Sequence, residues 1–362
     1  MMKMRVCKTK TGFTLVELMV SMAIGLTVVF AMATLFKSGM ASTFIVAQRV
    51  ETQQNMRAAM EIMVKDINMA GAGLPTGGLQ LPTGAGSSAE RFGCDQGGTC
   101  YVPVFTYPAK YMNGINPGFS NGVQGNAVVP AAPGLINDSI TVVYCDYNFP
   151  LFNYNATFPN GGTPAATGTS INIVANPLIV PAPPLVTAAG GIQVGDLILL
   201  SNTAGNAVGE VTSVTPAVIG FADLDPLNMN QSGAATNNIK ALAVASPTAA
   251  IYRLFAVTYY LTVPVNGQLP RLMRQVNGLT PVPVADNIIN LQFAYDDYNT
   301  NNGVLDANQA NPILAGDALN MIQKTNIVIY GQSLTLNGNK SQGMYLATSV
   351  SARNMAFRNR YK

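Results

Sequence analysis

Neither histidine nor tryptophan occurs in this sequence, and charged residues make up only 10% of it. Without histidine, Ser-His-Asp and Cys-His nucleophile systems and the usual catalytic zinc sites drop out, because each depends on an imidazole. For acid–base chemistry, paired carboxylates are the arrangement to look for. Asp223 and Asp225, and Asp296 and Asp297, are close in sequence, but neither spacing establishes a shared pocket. The formal charge is +3, from 20 basic and 17 acidic residues. Four of the cations, Lys3, Arg5, Lys8 and Lys10, crowd the first ten residues; the rest of the chain has 16 basic residues against 17 acidic ones, 20 − 4 and 17, or −1. A basic surface for nucleic acid therefore loses its main support.

What the chain does have is a long uncharged run near its start. From Leu18 to Phe36 there is no Asp, Glu, Lys or Arg, and Lys37 closes the run. As a helix it would extend about 28 Å, close to the ~30 Å hydrocarbon core of a bilayer. The basic residues ahead of it place its N-terminal side in the cytoplasm. Glu17 stands at the edge of the apolar segment. An ionisable group there is costly and by default marks a function.

The residues Gly12-Phe13-Thr14-Leu15-Val16-Glu17, behind a short basic leader, resemble the class III signal of type IV prepilins and pseudopilins. The other reading of these residues is an ordinary signal anchor that happens to contain a glutamate. The resemblance implies cleavage between Gly12 and Phe13 by a prepilin peptidase and N-methylation of Phe13. Unlike a secretory signal, such a cut leaves the apolar segment in the mature protein. It also implies that Glu17 compensates the free amine of a neighbouring subunit during assembly, a pairing that offsets part of the desolvation cost of both charges.

Beyond Lys37 the helix is predicted to continue, from Ser38 to Ala70. Met56, Ala59, Met60, Met63 and Ile67 recur at spacings of three and four, a face suited to burial against the chain's own sheet. Arg57 with Glu61, and Glu61 with Lys65, are spaced for pairing on the solvent side. Gly25 and Gly39 are possible bends, and Gly71-Ala72-Gly73-Leu74-Pro75 ends the helix. Strands are expected at Ser139–Tyr147, Gly191–Ser201, Ala207–Val214, Ala250–Pro264, Arg271–Val276, Asp286–Asp296, Thr325–Ser333 and Gly343–Val350. The glycines around Gly195 and Gly209 lie between strands, not before a helix, which disfavours a phosphate loop. The Gly-, Pro- and Asn-rich stretches near 75–135, 148–190 and 225–248 read as insertions.

Residues 55–71, the phrase Val194–Ser201 with Glu210–Val214, Asp286–Asp297, and the tail Val350–Arg360 resemble PilW-type minor pilins; the first also resembles J-type pseudopilins. The fold this implies is α+β: a long N-terminal helix, transmembrane and then amphipathic, packed on an antiparallel β-sheet domain with loop-rich insertions. The divisions expected are a leader at 1–12, a membrane or pilus-core helix at 13–36, its amphipathic continuation at 37–70, and a β-rich periplasmic domain at 71–362. The function implied is a minor pilin that primes assembly of the type IV pilus and can remain at its tip. Its partners would be other minor pilins, the major pilin, prepilin peptidase and the inner-membrane assembly platform, with no nucleic acid, no cofactor and no catalysis. It would wait in the inner membrane and then pass to the cell-surface pilus. A tip adhesin and a type II secretion pseudopilin are the alternatives.

Two smaller sites complete the reading. Cys7 falls within the leader. Cys94 and Cys100 bracket a Gly-rich loop, and in an oxidising compartment they are the expected disulfide. Zinc is a rival without ligand partners at metal spacing, and pairing of Cys145 with either stays open; Cys145 itself reads as a buried thiol. Asp297, Asn299 and Asn301 alternate ahead of Gly303 and suit calcium, a hard cation that takes oxygen ligands. Gly303 is one residue late for an EF-hand loop and no glutamate closes it, so an ordinary β-turn is the competing reading.

Overall fold

The computed structural model describes residues 12–101, 110–119, 137–180, 186–262, 269–299, 303–312, 318–333 and 343–355. The leader up to Thr11, Asn301 and the tail beyond Met355 lie outside the described residues. The layout is α+β: one long apolar N-terminal helix followed by antiparallel sheets.

Helix α1 runs unbroken from Leu15 to Met69, 55 residues, through both Gly25 and Gly39. That is about 82 Å at 1.5 Å per residue. It stops at Ala70, whose backbone leaves helical geometry, and Gly71 and Gly73 follow with positive φ. Its first buried residue is Thr52. From there Met56, Ala59, Met60, Met63 and Ile67 form the buried stripe that their spacing predicts. The pairs expected on the opposite side, Arg57 with Glu61 and Glu61 with Lys65, do not close to ion-pair distance. Exposed pairs gain little over hydration, so nothing holds those side chains together.

The remaining elements are strands, with one short second helix. The first group is β1 (Leu79–Gln80), β2 (Tyr111–Met112), β3 (Ile115–Gly118) and β4 (Ser139–Asp146). The middle group is β5 (Tyr154–Thr157), β6 (Ser170–Ala175), β7 (Leu197–Asn202), β8 (Gly205–Glu210), β9 (Ser213–Val214), β10 (Val218–Gly220) and helix α2 (Ile239–Ala245). The last is β11 (Thr248–Thr262), β12 (Arg271–Val276), β13 (Val282–Ala285), β14 (Ile288–Asn299), β15 (Val304–Gln309), β16 (Ile322–Gln332) and β17 (Gly343–Ser351). The eight strands expected from the sequence all have counterparts here. The short strands and α2 lie largely in the insertions, where turn residues obscure the two-residue alternation.

Strand β11 is the hub. One edge pairs with β7 over Ala250–Leu254 and then β12 over Val257–Thr262; the other pairs with β5 at Thr248–Ala249 and then β4 over Arg253–Tyr259. A second sheet has the order β15-β14-β16-β17. The end of α1 lies over β17, β16, β13 and β4. There Met56 rests on Gly331 of β16, where a Cβ would come within 2.6 Å of its sulfur. Two further cores fill the insertions. One gathers β5 to β8, β10 and α2, and the other joins Leu74, Leu79, Leu81 and Phe92 to β4, β7 and β11.

One polar cluster ties helix to sheet. Asp66 faces inward from the last turn of α1 with 5% of its surface exposed. It accepts hydrogen bonds from the hydroxyls of Tyr144 on β4 (3.1 Å) and Tyr259 on β11, and from Nε of Arg274 on β12 (2.9 Å). Burial and the Asp66 charge hold both tyrosine hydroxyls well above their ordinary range. Burial alone would lower the Arg274 guanidinium, but its bond to Asp66 outweighs that and keeps it charged.

Removing the carboxylate leaves Arg274 half-buried without its partner. Asp66→Ala is expected to destabilise the chain by about 3–5 kcal/mol, and Met63→Ala by about 2–5 kcal/mol through the cavity it leaves. Exposed Glu61→Ala should stay within about 0.5 kcal/mol. Guanidinium unfolding of the full chain in detergent micelles checks all three.

Candidate functional site

Most of α1 touches nothing in its own chain. Leu18, Val20, Ile24, Leu26, Phe30 and Phe36 are among its exposed apolar side chains, and the exposure continues to Val50. Among the described residues this is one helix long and apolar enough to cross a membrane, with none of its apolar window buried. Apolar exposure on this scale marks a surface that another apolar phase covers. The few hydroxyls in the run are suited to such a phase. Ser21, Thr27 and Thr34 donate to the carbonyls of Leu18, Ile24 and Ala31 at 2.8–2.9 Å, and Thr43 donates to Gly39 at 2.9 Å. Each donor is satisfied within the helix, as a span in lipid requires.

Gly12 and Phe13 precede the helix outside any regular element, and both are exposed. Thr14 is the N-cap. Its hydroxyl accepts the Glu17 N–H at 3.3 Å, and Glu17 Oε2 accepts from the Thr14 N–H at 3.0 Å and the Thr14 hydroxyl at 3.1 Å. This reciprocal capping box satisfies two amides that the first turn leaves without partners. Both contacts to the carboxylate fall on Oε2, which leaves Oε1 able to accept another donor. Thr14 is the residue whose part in the site the motif reading missed, although the Thr-x-x-Glu spacing was there to be read.

The other sequence-derived residues lie far along the chain from this end. Cys94 and Cys100 are joined as a disulfide, and Cys145 is a buried thiol in β4. The loop between the two half-cystines is exposed, while Cys94 is buried and its carbonyl accepts a 2.8 Å hydrogen bond from Gln275 Nε2. Within the stretch from Asp296 to Asp306, strands β14 and β15 pair antiparallel, and the Gly303 N–H donates to the Asn299 carbonyl at 2.9 Å. Asp297 is buried within β14, and Asn299 donates to Asp306 at 3.0 Å. Asp296 binds Lys324 at 3.2 Å and accepts from Asn326 and from Asn308 N–H at 2.9–3.0 Å. Strand β14 shifts register between Asp296 and Asp297, and those three partners take up the Asp296 carboxylate. No group of three or more His, Cys, Asp or Glu placed to hold a metal occurs among the described residues.

Asp223 and Asp225 also separate. Asp223 binds Ser232 at the surface, whereas Asp225 is buried beside Glu210. Sequence reasoning missed that partner, along with Asp66 and the buried group of Arg253 with Asp146 and Asp196. Each brings together residues remote in sequence, and no local pattern marks such a pairing.

The family described as "Prokaryotic N-terminal methylation motif" matches residues 7–33, which include Gly12, Phe13, Thr14 and Glu17. The chain thus carries a type IV prepilin-like N-terminal motif on a helix fit to anchor it in a membrane. The matched residues are a small part of the chain and leave the sheets uncharacterised. No curated protein sequence matches it. Among solved structures it is similar to a type IV-like pilin from Thermus thermophilus, at 12% identity over 45% of this chain and 86% of that one. The TM-score is 0.19, too low to bear on the fold.

Thr14→Ala removes the cap and is expected to cost the first turn about 1 kcal/mol. Amide exchange in micelles should then show the Glu17 N–H exchanging about fivefold faster, with amides near Met63 unchanged.

Proposed function

We propose that this protein is a minor pilin that primes and joins a type IV pilus. The observation that carries the reading is the prepilin-like motif at the head of a helix whose first two-thirds or so finds no cover in its own chain. In this reading residues 1–12 are removed between Gly12 and Phe13, and Phe13 is N-methylated. Residues 13–36 then hold the protein in the inner membrane, residues 37–70 continue the helix, and the β-rich part from 71 onward lies in the periplasm.

Assembly transfers the apolar helix from lipid to the helices of other pilins. The exchange is of one apolar surrounding for another, so packing and polar contacts decide it. Glu17 supplies the polar contact. With Oε2 held by Thr14, Oε1 is left to accept the Phe13 amine of a neighbouring subunit. A carboxylate and an ammonium attract far more strongly in that setting than in water. The partners are other minor pilins and the major pilin, with the prepilin peptidase and the assembly platform acting earlier. The protein acts by packing and turns over no substrate.

Surface pili and twitching in a deletion strain, complemented with wild type or Glu17→Ala, test this. Loss on deletion and rescue by wild type alone are expected. Mass spectrometry of the mature protein should find N-methylated Phe13 at its start. Normal pili with failed attachment would favour a tip adhesin instead, and normal pili with failed enzyme export a secretion pseudopilin.

A further inference from the structure

Strand β8 ends at Glu210, which is fully buried. Its Oε2 accepts the Leu227 N–H at 3.0 Å, but its Oε1 is enclosed and has no hydrogen-bond partner. Beside it Asp225, 1% exposed, is well supplied: it accepts the N–H groups of Glu210 (3.1 Å), Met229 (2.8 Å) and Asn230 (2.8 Å). These bonds wrap residues 225–230 around the Asp225 carboxylate.

The orphan oxygen lies against Gly278, where any Cβ would collide with it. Gly278 donates to the Gly195 carbonyl at 3.1 Å and accepts the Gln96 N–H at 3.1 Å. Four segments therefore meet at Glu210: the 225–230 loop, the turn before β7, the β12–β13 turn and the disulfide loop. The acidic groups on these and neighbouring elements are Asp225, Asp223, Asp196, Asp95 and Glu90; the cations are Arg91, Lys240 on α2, Arg253, and Arg271 and Arg274 of β12, the last two ion-paired with Asp286 and Asp66. Arg253 is already held by Asp196 (3.3 Å) and Asp146 (3.7 Å), and no cation forms an ion pair with Glu210 among the described residues. An ionised Glu210 would thus set a second buried negative charge beside Asp225, with one oxygen lacking any donor. Such a group takes up a proton instead.

We propose that Glu210 is a neutral carboxylic acid in the folded protein and serves as a proton-held latch, closing the 225–230 loop and the disulfide loop onto β8 and loosening them when it ionises. The proton belongs on Oε1, in a niche that the Gly195 carbonyl also lines. Burial first, and then the Asp225 charge, push the Glu210 carboxyl up to about 8, and burial pushes Asp225 up to about 6 against the pull of its N–H donors. A carboxyl raised on folding binds more protons in the native state than in the unfolded one. Its contribution is therefore complete below the unfolded value and is lost as pH rises, by at most about tenfold in the folding equilibrium per pH unit, until the folded value is passed.

Amide exchange of the full chain in micelles, corrected for intrinsic rates, tests the latch between about pH 6 and about pH 9. Protection of the Leu227, Met229 and Gln96 N–H groups is expected to fall by about tenfold or more in wild type and to stay level in Glu210→Gln, which keeps the shape without the charge. Equal falls in both proteins would overturn the proposal. Should the variant not fold, infrared spectra of wild type decide: a protonated buried carboxyl band that persists at about pH 7, above the Asp225 range, and is lost by about pH 9 is expected, and its absence at about pH 7 overturns the proposal. Neither readout depends on whether the chain assembles into a fibre.

Discussion

A helix satisfies its own backbone wherever it stands, but its apolar side chains need company from elsewhere. In α1 that division falls near Thr52. Before it, the hydroxyls of Ser21, Thr27, Thr34 and Thr43 are turned back onto the backbone and the apolar side chains stand open on every side. After it, the Met56-to-Ile67 stripe is covered by the chain's own sheets. The open part needs lipid or other helices, and the covered part must hold firmly enough to carry the sheets along with it. Asp66 supplies that hold through three partners on β4, β11 and β12, so loads on the helix pass directly into the central strands.

The insertions are attached by the same logic of shared strands. Strand β11 is long enough to offer its far half to β4 and β12, beneath α1, and its near half to β5 and β7. Arg253 sits where the two halves meet. It bridges Asp146 of β4 and Asp196 ahead of β7, donates to the Gly190 and Gly191 carbonyls, and lies over the Phe255 ring. A buried arginine of this kind specifies which strands meet more than it stabilises them, since desolvation offsets much of the attraction. The enlarged sheet is thus one continuous scaffold with several cores, and the Glu210 niche lies where the disulfide loop joins it.

Much of the N-terminal site was legible. A motif of this kind spans a few consecutive residues, so the order of residues is already its geometry. Gly12, Phe13 and Glu17 needed no tertiary contact to be picked out, and the Thr14–Glu17 cap follows from the same spacing. The long strands could be read too, because a run such as Ser139–Tyr147 or Ala250–Pro264 has too few turn residues to be anything else. The short strands of the insertions could not. Val218–Gly220 or Tyr154–Thr157 is too brief for alternation to register, and each becomes a strand only because a neighbour offers it an edge.

By itself, then, the sequence determined the helix, its apolar length, its capped and motif-bearing start and the face it buries, since all of these repeat within a few residues. Only the tertiary structure decided what the acidic side chains do. Nothing in the residues beside Asp66, Asp225 and Glu210 in the chain tells their roles apart. Folding gives the first an arginine and two tyrosines, the second a ring of backbone amides, and the third an enclosed niche with an oxygen left over. The physical reason is that a carboxylate's state depends on desolvation and on the charges and donors within a few ångströms, and those are set by segments distant in sequence.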